Sequence, residues 1–452
     1  MSTTGTAPQG PPADSIEGQQ VAWGALRKVG FRLLFCYVVL FGMFCLNLEG
    51  LITVYFLTGR WVASPLDRWW GLQVSLVARY IFQLKHFKFQ AISSGDSLSD
   101  YLQFFTYALI ALLVALVWTL IRRKAANYSK LSQWLRLYAQ LALGVTMIGY
   151  GLDKVVPLQF RELTASRLAG SVGDLTPFSM LWLFMATSKP YTIFSGVLET
   201  LAGVMLITPK LRSSGALLAV AVMTNVFALN VFYDVPVKSF SLQLLLLAIY
   251  LASPEFPRLV KMLVLNRTVE PRTDSPLSSS TRVVKWAQMA QAGLAACFFA
   301  FCLIGATRLY ATRQAESRGV PLFGVWEVDQ FKLSGNPQPL FTDKLSAELH
   351  LRPGDDHWRK FMIERTGGAV LQLQSGVLDW VNLSLSKDRT ELELSDSDDP
   401  KWKAHFAIQQ QARNVLNLHG ALNGVPVDIK LHVDEKAFRL SNAEYHLIFT
   451  YQ

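Results

Sequence analysis

Long apolar runs separated by short polar connections fill the first two thirds of this chain, and short alternating segments fill the rest. The apolar runs are Phe31–Leu57, Tyr101–Ile121, Leu131–Gly151, Tyr191–Thr208, Gly215–Tyr233, Phe240–Ala252 and Val284–Ala306. Most approach the roughly 20 residues a helix needs to cross hydrocarbon. Phe240–Ala252 is short, and either extends toward Val237 and Phe256 or stops before crossing fully. The pattern predicts an α-helical transmembrane bundle of about seven spans. Leu76–Phe89, close to Trp61, Trp69 and Trp70, reads as an amphipathic surface helix. Pro177–Ala186 is apolar but only half a span, which suggests a re-entrant or interfacial cap.

After Arg318 the period falls to two. FGVWEVDQF, LSAELHL, KFMIE, AVLQLQ, WVNLSLS, TELELS, KAHFAIQ, NVLNLHG, PVDIKLHV and YHLIFTY alternate apolar and polar residues, with turn segments such as Asn423-Gly424 between many of them. They predict an antiparallel sheet of about eight to ten strands, closed into a small β-barrel. The organisation expected is a disordered tail over 1–26, a helical bundle over 27–266, a polar linker over 267–283, a last transmembrane helix over 284–306 and a β domain over 319–452.

Composition sharpens this reading. Of 452 residues, 51% are hydrophobic and 17% charged, the balance of a membrane protein with a soluble part. The net charge of +10 divides into −2 from Thr307 onward and +12 before it. The basic excess therefore belongs to the helical part, where loop charge sets orientation, and nucleic acid is not needed to explain it. Lys28/Arg32, Arg122-Arg123-Lys124, Lys210/Arg212 and Arg258/Lys261/Arg267/Arg272 fall at alternate connections. Placing them all in the cytoplasm puts the N-terminus inside and the β domain outside the inner membrane. Cys36, Cys45, Cys297 and Cys302 lie in apolar segments and form no CxxC, so they read as packing residues.

The candidate chemistry is polar groups inside apolar helices. Glu199 sits at the centre of Tyr191–Thr208, where a carboxylate costs on the order of 3 kcal/mol and must find a partner, a proton or water. Arg136, Asp153 and Lys154 occupy one neighbouring segment, and Asn225, Asn230, Asp234 and Lys238 occupy or follow another. Asn230 and Asp234, four apart, are expected on one helical face. Two alternatives stand: a structural ion-pair network, with Glu199 bound to Arg136 or Lys154, and a ligand or proton site. No His lies in a predicted span, and neither GxGxxG nor a P-loop occurs. Redox chemistry would then rest on a diffusible quinone or a partner subunit.

RLYAQLALGVTMIGYGLDK, with Arg136, Gly144, Gly151 and Lys154, followed by ETLAG, with Glu199 and Gly203, resembles the four-helix core of the DoxX family over roughly Leu131–Asn266. TNVFALNVFYDVPVKSFS resembles the long members of that family that end in a soluble β domain. The resemblance implies a bundle that binds or handles a small lipophilic molecule, with a quinone as candidate. Quinone-linked oxidoreductase subunit and membrane-anchored interaction protein, whose β domain docks a partner, are the other classes, and membrane lipids are expected partners in each. Gly324-Val325-Trp326 resembles the GxW signature of lipocalin-like barrels, in which Trp326 would plug the closed end. That leaves a filled barrel or a ligand cavity open. His405, His419, His432 and His446 recur at near-equal spacing, which fits the hairpin repeat better than a metal site.

Overall fold

The computed structural model describes residues 22–58, 60, 64–90, 95–160, 163–270, 281–318, 320–338, 357–364, 367–396, 399, 401–412, 414–434 and 437–438. Most of the expected tail and linker, and the expected strands LSAELHL and YHLIFTY, lie outside the described residues.

Eleven α-helices are described: α1 (Ala25–Thr58), α2 (Pro65–Tyr80), α3 (Leu98–Ile121), α4 (Ser129–Val155), α5 (Ala165–Ala169), α6 (Pro177–Thr187), α7 (Lys189–Ile207), α8 (Arg212–Phe232), α9 (Lys238–Ala252), α10 (Phe256–Leu259) and α11 (Thr281–Arg318). Five are long and apolar enough to cross a membrane: α1 over Ala25–Leu48, α3, α7, α8 and α11 over Gln288–Ala315. A sixth is added if α9 and Phe256–Val264, bent by 63°, count as one span. At 27 residues α4 is long enough but is not in that set. It carries Gln133, Arg136, Gln140, Asp153 and Lys154 along its length, as a helix can when much of its surface meets protein.

The surface helix begins earlier than expected. Ser64 and Asp67 form a capping box and Pro65 opens α2, while the chain beyond Tyr80 is irregular, with Gln83 at φ +56°. Buried Asp67, Trp70, Val74 and Ala78 form its inward stripe.

The chain divides into two compact units: Met1–Tyr150, Leu198–Val231 and Val235–Phe301 make one, and Gly151–Val197, Phe232–Asp234 and Cys302–Gln452 the other. In the first, Phe31, Val38, Phe41 and Cys45 of α1 pack with Leu135, Ala139, Leu143 and Met147 of α4, Ala202 and Leu206 of α7, Ala219 and Met223 of α8, and Leu244, Ala248 and Leu251 of α9. Its polar contacts fix the helix ends. Arg32 reaches the Arg122 carbonyl, and Arg136 the Leu251 and Tyr250 carbonyls. Ser213 and Arg258 both bond Glu255. The basic connections Lys28/Arg32, Arg122–Lys124, Arg212 and Arg258 therefore gather at one end of this unit.

The second unit contains the barrel. Its strands are β1 (Gly324–Leu333), β2 (Asn336–Pro337), β3 (Trp358–Ile363), β4 (Ala369–Leu373), β5 (Leu378–Leu385), β6 (Glu391–Asp396), β7 (Lys403–Ala412), β8 (Val415–Leu422) and β9 (Val425–Val433). All pairs are antiparallel neighbours, and β9 pairs back onto β1, closing a ring of eight, while β2 is a short return on β1. Asn423 (φ +49°) and Gly424 (φ +83°) make the tight β8–β9 turn. The inward residues fill the barrel: Trp326, Phe331, Trp358, Phe361, Leu371, Leu392, Phe406, Leu418 and Leu431 are all buried. The same unit fastens the α4–α6 connection to the barrel. Ser166 of α5 donates its hydroxyl hydrogen to the Glu364 carboxylate in the β3–β4 turn, and both residues are buried.

Candidate functional site

Small residues bring helices close enough to set the position of Glu199. A Cβ built on Gly203 of α7 would lie 2.6 Å from the Gly144 carbonyl oxygen of α4, so at this level the two helices touch backbone to backbone. In the second unit, a Cβ on Gly196 would lie 2.5 Å from the Gly151 carbonyl oxygen and 2.7 Å from Lys154 Cβ. Glu199 is three residues after Gly196 and four before Gly203, which places it on the glycine face of α7. It is 4% exposed.

The other sequence-derived candidates do not converge on one point. Arg136 is half-buried and donates to the Tyr250 carbonyl at 3.0 Å and the Ser253 hydroxyl at 3.3 Å, with its guanidinium 5.1 Å from the Tyr250 ring centroid. It therefore caps the end of α9. On α4, residue 136 precedes Ile148, which touches Gly203, by twelve positions or about 18 Å of helix. That separation excludes Arg136 as the partner of Glu199. Lys154 is buried and Asp153 half-buried, and the Asp153 carbonyl accepts from Leu158 and Gln159 N–H at 3.1 Å, turning the chain out of α4.

On α8, Asn230 is buried, but Asn225 is exposed, contrary to the expectation that it points inward. Asp234 does not share a helical face with Asn230. The helix ends at Phe232, and Asp234 is exposed at φ +53°. Pro236 then disfavours helical geometry at Val235, so the helix does not resume there. Lys238, half-buried, opens α9.

Three polar features have no signature in the sequence. Asp96, before α3, caps α9 from 142 positions away: its carboxylate accepts from Lys238 N–H at 2.6 Å, Ser239 N–H at 2.9 Å and Ser239 Oγ at 2.5 Å. Gly95, at φ +87°, permits this, since its Cβ would lie 2.2 Å from the Pro236 carbonyl oxygen. Gln133 and Gln140 of α4, seven apart and so on one face, each hold a buried side-chain oxygen without a hydrogen-bond donor among the described residues.

In the barrel, Trp326 is buried and its Nε1 donates to the Leu322 carbonyl at 2.8 Å. His419 and His432 lie 2.8 and 2.7 Å from Asp428 and Asp329 on neighbouring strands, and His405 lies 3.6 Å from Glu393. These are exposed cross-strand pairs on the outer face, while His446 lies outside the described residues.

No family model matches the chain, and no solved structure matches it. The chain is similar to the uncharacterized protein YwoB of Bacillus subtilis (strain 168), at 32% identity over 112 residues, which are 25% of this chain and 71% of that protein. The chain belongs to the same family as YwoB.

Proposed function

We propose that this chain is a multi-pass protein of the inner membrane, with a DoxX-like four-helix core, that holds a small lipophilic molecule beside Glu199 in the helical unit. A quinone is the candidate. The observation that carries the reading is the burial of a carboxylate on the face of α7 that meets α4. Such placement costs several kcal/mol and persists in membrane helices chiefly where it serves a pathway, a proton or a ligand. In this reading α4 and the α9–α10 pair both cross, giving seven spans, an N-terminus in the cytoplasm and a lipocalin-like barrel outside.

The test is Glu199→Gln, with thermal melting in detergent and mass spectrometry of bound lipids on the same preparation. The amide keeps the shape without the charge, so folding should be nearly intact while ligand content falls. Unchanged melting together with unchanged ligand content would end the claim. A second reading, an interaction protein docking through the β domain, is favoured by two exposed large apolar residues, Val377 in the β4–β5 turn and Trp380 in β5, each 57% exposed. A stable co-purifying protein lost on Trp380→Ser, with no bound quinone, would favour it. A quinone-linked oxidoreductase subunit would need both the quinone and a redox partner.

A further inference from the structure

Among the described residues, the barrel is filled along most of its length but not at the end where the chain enters it. The inward positions of β5 run Val381, Leu383, Leu385, and those of β7 run Ala404, Phe406, Ile408; burial is complete at the first residues of each series and partial at the last. There a partly open cavity of about 690 Å³ is lined by Val320–Phe323, Trp326, Leu385, Ile408 and Val433, together with the polar Asn414 and Arg389. Its size is that of pockets for small organic ligands, about 300–1,000 Å³, and its lining is mixed, with about as much polar as apolar surface exposed. Here the charged group of the lining is Arg389, in the β5–β6 turn at φ +60°. Among the described residues its guanidinium has no hydrogen-bond acceptor or ion-pair partner. Its neighbour Asp388 is committed elsewhere: the carboxylate accepts from the Ser386 hydroxyl at 2.6 Å and faces Thr390 N–H at 3.4 Å. Those bonds hold it below the ordinary carboxylate range, so it stays ionised within its own turn.

The location narrows the ligand. The apolar stretch of α11 ends at Ala315 and β1 starts at Gly324, so only residues 316–323 separate the candidate span from the mouth. With eight strands in the ring, β9 returns to the same end at Val433. The mouth is therefore at the end of the barrel that the chain enters from the candidate span.

We propose that the barrel mouth binds a single-chain anionic lipid, its acyl chain lying against Trp326, Leu385, Ile408 and Val433 and its head group meeting Arg389. This site is separate from the one proposed beside Glu199. Binding of parinaric acid and of its uncharged methyl ester to the purified full chain, followed by fluorescence, tests it. The acid should bind saturably. Arg389→Gln should weaken the acid about tenfold, the scale of a partly exposed charge-assisted contact, and leave the methyl ester unchanged. Leu385→Trp with Ile408→Trp should block both, and Glu199→Gln should alter neither. Native mass spectrometry identifies the source: a retained lysophospholipid, lost in Arg389→Gln, marks a phospholipid-derived ligand, and its absence with acid binding marks a free fatty acid. Equal binding of acid by wild type and Arg389→Gln overturns the proposal. So does the lack of both saturable binding and a retained acyl lipid.

Discussion

Gly203→Ala tests the α4–α7 contact that positions Glu199. The added methyl would stand 2.6 Å from the Gly144 carbonyl oxygen, 2.9 Å from Ile148 Cγ1 and 3.1 Å from Ile148 N. Ordinary contact begins near 3.4 Å, so the helices must part locally by about 0.8 Å. A gap of that size forfeits about a quarter to a half of the dispersion attraction of the atoms that line it, and overpacking of this kind costs about 1–3 kcal/mol. Alanine also returns about 1 kcal/mol through its better helix propensity. Gly30 in α1 isolates that return, because nothing lies within 4 Å of a Cβ built there. Gly30→Ala should be neutral or stabilising and Gly203→Ala destabilising, and their difference reads the packing cost directly. Unfolding midpoints in mixed micelles titrated with sodium dodecyl sulfate measure both. Equal shifts for the two variants would mean that the backbones do not touch at Gly144 and Gly203.

Asp96→Ala removes three acceptor contacts from the start of α9 and should destabilise the helical unit by about 2–3 kcal/mol in the same assay, with Asp96→Asn recovering part of it; a loss below about 0.5 kcal/mol would show that the cap contributes little. Reporter fusions after Ser279 and after Gln452 should give opposite signals, inside and outside, because the candidate span of α11 lies between them; matching signals would mean that α11 does not cross and would sink the seven-span reading.

Periodicity carried the architecture. The period-two segments after Arg318 map onto β1 and β3–β9 because one face of each strand packs into the barrel, so alternation and burial coincide, as in β6, where Leu392 and Leu394 point in and Glu391 and Glu393 out. What stayed hidden is non-local. Asp96 stands in an ordinary polar turn, and nothing near it in sequence announces a helix terminus 142 residues away. Ser166 and Glu364 are likewise unremarkable until folding buries them together. The barrel cavity depends on where the ring closes and on the eight residues that enter it, neither of which a strand pattern encodes.

The contrast between Glu199 and Asn225 shows how much more was available. Each is a polar residue inside an apolar helix, and composition alone treats them alike. Their phases differ. Glu199 is three residues from Gly196 and four from Gly203, so it shares the face that small residues reserve for close helix contact. On α8 the buried stripe runs Ala216, Ala219, Met223, Asn230. Asn225 follows Met223 by two positions, a rotation of about 200°, which turns it to the opposite side. Phase against the buried stripe of its own helix therefore separates the inward Glu199 and Asn230 from the outward Asn225.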